Sequence, residues 1–195
     1  MFAAGGQMTV PVGNLRTLVL NADMQPLSWA PLSVWSWQDA FVAVIQSRVV
    51  QLKTYDDVLV HSGSRAFEVP AVVALKRYRK RRSVAFTRYH LFLRDEFTCQ
   101  YCGGRFAAKD LTFDHIVPKS RKGLTCWSNI VACCGADNLR KGNKTPQEAG
   151  MRLLRPAFQP TPHQIDAAAR RLPGAKAELH QTWMDYLYWG SELEA

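Results

Sequence analysis

Asp114 and His115 stand side by side at the end of a short apolar run, and Asn129 and Asn138 follow within LTFDHIVPKSRKGLTCWSNIVACCGADNLRKG, residues 111–142. A carboxylate, an imidazole and two amides in this order can build a small phosphodiester-cleaving site. The Asp114 carboxylate and the Asn138 side-chain carbonyl are hard oxygen donors, suited to Mg²⁺ or Mn²⁺, and they leave coordination positions for water and a phosphate. Neighbouring side chains on a strand point to opposite faces, so His115 is expected off the metal and free to take a proton from water. An ordinary histidine pKa of roughly 6.5 suits that task near neutral pH.

By itself an Asp-His pair is equally a capped turn with an incidental histidine. In the company of Pro118, Asn129, Asn138, Lys141 and an upstream Cys-x-x-Cys, the balance shifts to a hydrolytic site. The segment DHIVPKS, the later Asn129 and Asn138 and the terminal RKG resemble the motif of the HNH (ββα-metal) endonucleases, and the N-terminal LVLNADMQPL region and the closing WMDYLYW resemble features of a compact, stand-alone, zinc-knuckle-containing group of them. That resemblance implies His115 as general base, Asp114 and Asn138 as holders of a catalytic divalent ion, and Asn129 as a brace for the loop between two strands. Arg140 and Lys141 are placed either to hold neighbouring phosphates or as solvated helix charges. His61, His90, His163 and His180 have no comparable neighbours.

Cys99 and Cys102, followed by two glycines, form a knuckle that can bring two thiolates to one tetrahedral Zn²⁺, although a redox pair has the same spacing. HNH proteins with such a knuckle usually carry a second Cys-x-x-Cys just before the last metal-binding residue. The equivalent positions here are Cys134 and Asp137, which makes Cys99, Cys102, Cys134 and Asp137 the expected zinc ligands and a weaker set than four thiolates. Cys126 and Cys133 are alternative candidates for the fourth ligand, but Cys126 lies far back in the loop and Cys133 directly beside Cys134, so both are expected to pack as small apolar groups.

The chain has 195 residues, 47% of them hydrophobic, enough for one moderate core plus a small metal-stapled module. Lysine and arginine exceed aspartate and glutamate by 25 to 16, a net charge of +9 that favours a polyanionic partner. No stretch approaches the roughly 18 apolar residues of a membrane span, so no membrane partner and a cytoplasmic location are expected. The five cysteines fall in two clusters, which in a reducing compartment favours metal binding over disulfides.

The elements that must position these groups follow from periodicity. Residues 1–14 read as a loose arm, LRTLVL (15–20) as a buried strand, and 21–26 as a turn. From Ser33, taken as an N-cap, Val34, Trp37, Phe41, Val44 and Ile45 fall on one helical face. Short strands are expected at 51–55, 58–61, 66–69 and 72–78. KRYRKRR, 76–82, puts Lys76, Arg77, Arg79, Lys80, Arg81 and Arg82 around one tyrosine and reads as a phosphate-tracking strip or as a solvated strand end, the downstream site favouring the first. Thr87 caps a short helix with Tyr89, Phe92 and Leu93 on one face. Thr145-Pro-Gln-Glu148 is a capping box that should open a helix at Pro146. Residues 155–162 form a linker, 162–172 a helix, and Leu179, Trp183, Tyr186 and Leu187 a final amphipathic helix docked on the N-terminal unit.

The expected class is α+β: an N-terminal strand and helix unit (1–86), a ββα-metal HNH module with a zinc knuckle (87–154), and a linker with C-terminal helices (155–195). The expected function is metal-dependent hydrolysis of DNA phosphodiester bonds. The alternative is a non-catalytic zinc-knuckle protein that binds DNA. A homodimer would be the simplest route to cutting both strands.

Overall fold

The computed structural model describes residues 12–172 and 179–187, and shows a mixed α+β chain in two units. The first comprises residues to Lys80 together with those from Lys176 on; the second runs from Arg81 to Ala175. Among the described residues no helix is long and apolar enough to cross a membrane. Most of the expected arm, residues 1–11, lies outside the described residues; Val12–Asn14 form a single 3-10 turn.

The first unit is a four-stranded sheet in the order β2-β1-β4-β3, made of β1 (Arg16–Leu20), β2 (Val34–Ser36), β3 (Val49–Ser62) and β4 (Arg65–Leu75). β1 runs parallel to β4; the other two pairs are antiparallel. The strands expected at 51–55 and 58–61 are one strand, β3, with register irregularities between Thr54 and Leu59. Its hairpin to β4 turns at Gly63, whose φ of +60° favours glycine.

Helix α1 (Trp37–Ile45) starts three residues later than expected. Ser36 is the N-cap, accepting from the Asp39 N–H, because Val34 and Trp35 are held in β2 by pairing with Leu18 and Thr17. Ser33 instead ties β1 to the preceding turn, donating to the Val19 carbonyl and accepting from the Leu27 N–H. With this later start Ala40 and Ala43 face the core and Ile45 is 66% exposed. Val19, Ala43, Val49 and Val73 form the centre of that core, with Leu27, Trp35, Val44 and Leu75 packed around them. Trp183 and Leu187, in the short turn Gln181–Trp183 and helix α5 (Met184–Leu187, numbered last in chain order), are buried in the same unit.

In the second unit, α2 (Arg88–Arg94) is capped by Thr87, and its inner face is Leu91, Phe92 and Leu93, while Tyr89 is exposed. The antiparallel pair β5 (Leu111–His115) and β6 (Ile130–Cys134) leads directly into α3 (Gly135–Lys141). Leu91, Phe92, Leu111, Trp127, Ile130 and Ala132 make the core under this ββα unit. Arg94, buried within it, is bound to both Asp95 carboxylate oxygens and donates to the carbonyls of Trp127, Ile130 and Phe158. Asp95 in turn accepts from the Ala132 N–H at 2.7 Å, so the buried charge pair holds β6 at both Ile130 and Ala132.

The capping box at Thr145 and Glu148 forms, but the helix it should open does not continue: the chain makes one turn and leaves it at Gly150, φ +65°. Met151, Arg152 and Leu153 then run without regular structure, and the next helix, α4 (Pro162–Arg170), has its own capping box at Thr161 and Gln164.

Candidate functional site

Pairing of β5 with β6 sets Asp114 opposite Val131 and His115 opposite Ile130. The alternation along β5 buries Asp114 and leaves His115 partly open. Asp114 accepts from the Tyr101 hydroxyl at 2.6 Å through one carboxylate oxygen, and from Lys141 at 3.0 Å through the other. Burial, then the bond to Asp114, holds the Tyr101 phenol well above its ordinary pKa, so it stays a donor. Asn138 reaches β5 from α3, its amide donating to the Thr112 hydroxyl at 3.0 Å, two residues from Asp114 on the same strand face. That bond uses the amide nitrogen and leaves the carbonyl oxygen as the atom able to bind a cation.

His115 meets the Thr125 hydroxyl through Nε2 at 2.9 Å. Burial first, then the cationic Lys119, holds its pKa below the ordinary value. Asn129 lies in the loop between the strands and closes it on itself. Its amide donates to the carbonyls of Val117 and Leu124, and its oxygen accepts from the Val117 N–H. A Cβ at Gly123 would sit 1.8 Å from the Val117 carbonyl oxygen, so only glycine fits this point of the loop.

Lys141 is not a surface cation. Its side chain is 1% exposed, and it donates to Asp114 and to the His115 carbonyl at 2.7 Å, at the centre of the site. Arg140, one residue earlier, is exposed and lines a cleft of about 490 Å³ with Tyr101, Cys102, Asp137 and Arg152. Of the basic strip, Lys76, Arg77, Arg79, Lys80 and Arg82 are exposed in a segment without regular structure. The Arg79 backbone is held on both sides by the buried Asn21 side chain. Arg81 is committed to a partly buried ion pair with Asp166.

Cys99, Cys102, Cys134 and Asp137 converge: their ligand atoms all lie within 4.8 Å of one another. Gly103, at φ +76°, lets the knuckle turn back so that its N–H reaches the Cys99 carbonyl. Cys134 is also the N-cap of α3, which brings Asp137 onto it. Burial alone would raise the Asp137 carboxyl, but hydrogen bonds from Cys102, Cys99 and Cys134 reverse this and hold it below the usual range. A carboxylate ringed by three thiols is a donor set in which a single tetrahedral cation can replace the thiol protons, so the four residues fit zinc. Cys133 is buried with its thiol pKa raised by burial, and Cys126 sits in the loop beside Ser128; neither joins the cluster.

Tyr101, Thr112 and Thr125 belong to the site but carry little signal in the sequence. Nothing in the sequence distinguishes Tyr101 from the other residues of the Cys99–Cys102 knuckle. Thr112 shares the parity of Asp114 on β5, a signal that period-2 reading does contain.

Two antiparallel strands, a helix and a thiol-carboxylate cluster define a ββα-metal module. Residues 99–154 match the HNH endonuclease domain, and residues 17–83 match the HNH endonuclease-associated N-terminal domain. The chain therefore belongs to the HNH family and carries an HNH nuclease domain, which implies a nucleic-acid substrate and a bound metal. No curated protein matches it.

Proposed function

We propose that the protein is a metal-dependent endonuclease that hydrolyses DNA phosphodiester bonds, with Asp114 and Asn138 holding Mg²⁺ or Mn²⁺ and His115 acting as general base. The observation that carries this reading is the buried Asp114 with Asn138 brought to the same face of β5, and His115 on the opposite face. When bound, a divalent ion there would draw charge from the phosphate and from the leaving oxygen. The chain's own residues supply the rest. His115, with its pKa held down by burial and Lys119, is neutral at physiological pH and able to take a proton from water. Tyr101 and Lys141 fix the rotamer of Asp114, and Asn129 fixes the loop beside His115. Zinc on Cys99, Cys102, Cys134 and Asp137 would tie the knuckle to the start of α3 and so set where Asn138 lies. Lys76, Arg77, Arg79, Lys80, Arg82 and Arg140 are exposed and available to phosphates, which supplies affinity and position with little sequence information.

One observation favours the second reading, a non-catalytic zinc-knuckle protein that binds DNA. The Lys141 ammonium already neutralises Asp114, and a divalent ion must share that carboxylate with it. Supercoiled plasmid incubated with the protein in EDTA, then with Mg²⁺ or Mn²⁺, separates the two. Metal-dependent nicking supports the nuclease; retention of DNA on a gel with no nicking by any divalent ion supports the binder. Competition between duplex DNA and single-stranded RNA tests the assignment of substrate.

A further inference from the structure

We infer that Thr125 is a positioning residue for His115: its hydroxyl accepts a hydrogen bond from Nε2–H, fixing the imidazole as the tautomer whose Nδ1 carries the lone pair. The inference rests on the reading of His115 as general base. Three observations support it. First, the contact is specific, Nε2 to Oγ1 at 2.9 Å, while no hydrogen-bond partner is found for Nδ1 among the described residues.

Second, the position of Thr125 is determined from both sides. The Leu124 carbonyl accepts from the Asn129 amide at 2.8 Å, and the Cys126 carbonyl accepts from the Asn129 N–H at 3.0 Å. Asn129 also holds the Val117 N–H and carbonyl, and the Ile116 N–H donates to the Asn129 carbonyl. The residues immediately after His115 and the residues flanking Thr125 are thus clamped by one asparagine. Among the described residues Asn129 makes no hydrogen bond to the imidazole itself; it holds the backbone after His115 and around Thr125, and the Thr125 hydroxyl is the group that meets Nε2.

Third, proton bookkeeping selects the direction of the bond. A hydroxyl can donate or accept. If Thr125 donated to Nε2, the neutral ring would carry its proton on Nδ1 and have no lone pair for water. With Nε2 donating, Nδ1 can take the proton, and the imidazolium that results keeps its bond to Thr125 without any rotation. Phe113 lies edge-on to the imidazole, with ring centroids 6.5 Å apart.

The test uses the full chain and the variants Thr125→Val, Thr125→Ser and His115→Ala. Side-chain ¹H–¹⁵N spectra at a pH where the histidines are neutral, with His115 assigned by its loss in His115→Ala, read the tautomer directly. The wild type and Thr125→Ser should show Nε2–H, and Thr125→Val a mixture. The nicking rate of supercoiled plasmid should fall roughly tenfold or more in Thr125→Val, less than the full loss of about 10²–10⁴ that a positioned general base contributes, with DNA affinity unchanged and Thr125→Ser restoring most of it. An Nδ1–H tautomer in the wild type, or a tautomer unaffected by Thr125→Val, overturns the inference, as does equal loss of nicking in the valine and serine variants. The failure of the nuclease reading looks different: no nicking by the wild type, or full nicking by His115→Ala, while the tautomer result still decides the role of Thr125.

Discussion

Replacing Lys141 with methionine keeps the length and apolar stem of the side chain and removes the ammonium. The structure makes the cost large. Lys141 and Asp114 are 1% and 7% exposed, and the bond to the His115 carbonyl disappears together with the ion pair. Breaking a buried pair by removing one partner costs about 3–5 kcal/mol, because the remaining charge is left without compensation. Asp114 keeps the Tyr101 hydroxyl at 2.6 Å, which places the expected destabilisation near the lower end, about 3 kcal/mol. For a unit of this size that is roughly 12–24 °C in Tm. Asp114→Asn added to Lys141→Met removes the orphaned charge and should recover most of the stability, giving a strong coupling in a double-mutant cycle. If Asp114 is a metal ligand, Mg²⁺ should stabilise Lys141→Met more than the wild type, since no ammonium then competes for the carboxylate, and should fail to stabilise the double variant in this way. Thermal unfolding with and without Mg²⁺ reads all of these. A Lys141→Met variant melting within a few degrees of the wild type, or Mg²⁺ acting alike on the single and double variants, would refute the reasoning.

At the cysteine cluster, Asp137→Cys completes four thiolates and should tighten zinc, seen as slower release to a chelator, whereas Cys126→Ser should leave zinc content unchanged because Cys126 lies outside the cluster. Glutamine at Lys76, Arg77, Arg79 and Lys80 together should weaken DNA binding and flatten its salt dependence, by about 0.9 in the log–log slope for each duplex phosphate no longer neutralised. An unchanged slope would remove the strip from the interface. Gly123→Ala drives a Cβ to 1.8 Å from the Val117 carbonyl and must reshape the loop that carries Thr125. Nicking should fall sharply while zinc content, measured by metal analysis, stays near the wild-type value.

The parts of this molecule legible from sequence are those fixed by local rules. The convergence of Cys99, Cys102, Cys134 and Asp137 follows from a glycine-assisted knuckle and from one turn of helix after Cys134, both short-range. The opposite faces of Asp114 and His115 follow from strand alternation, and the Asn129 brace from the family resemblance. The features that sequence hides are decided at long range. The helical period points to Ser33 as the cap, and the pairing of Val34 and Trp35 with β1 moves the start to Ser36. The box at Thr145 and Glu148 forms its local hydrogen bonds, yet Gly150 ends the turn before a helix can propagate. Lys141 and Arg140 are adjacent cations with no local difference between them. Only the docking of α3 on β5 turns one toward Asp114 and leaves the other exposed. Arg94 and Asp95 form the buried clamp on β6 because Trp127, Ile130 and Ala132 come to them from more than thirty residues away, which no local pattern shows.

Whether His115 is the general base of a metal-dependent DNA nuclease is tested most directly by the nicking of supercoiled plasmid by the wild type and His115→Ala, in EDTA and in Mg²⁺ or Mn²⁺. The expected result is that the wild type nicks only with the divalent ion and that His115→Ala does not nick while still shifting DNA on a gel. Equal nicking by both proteins, or none by either while both bind DNA, would contradict that role.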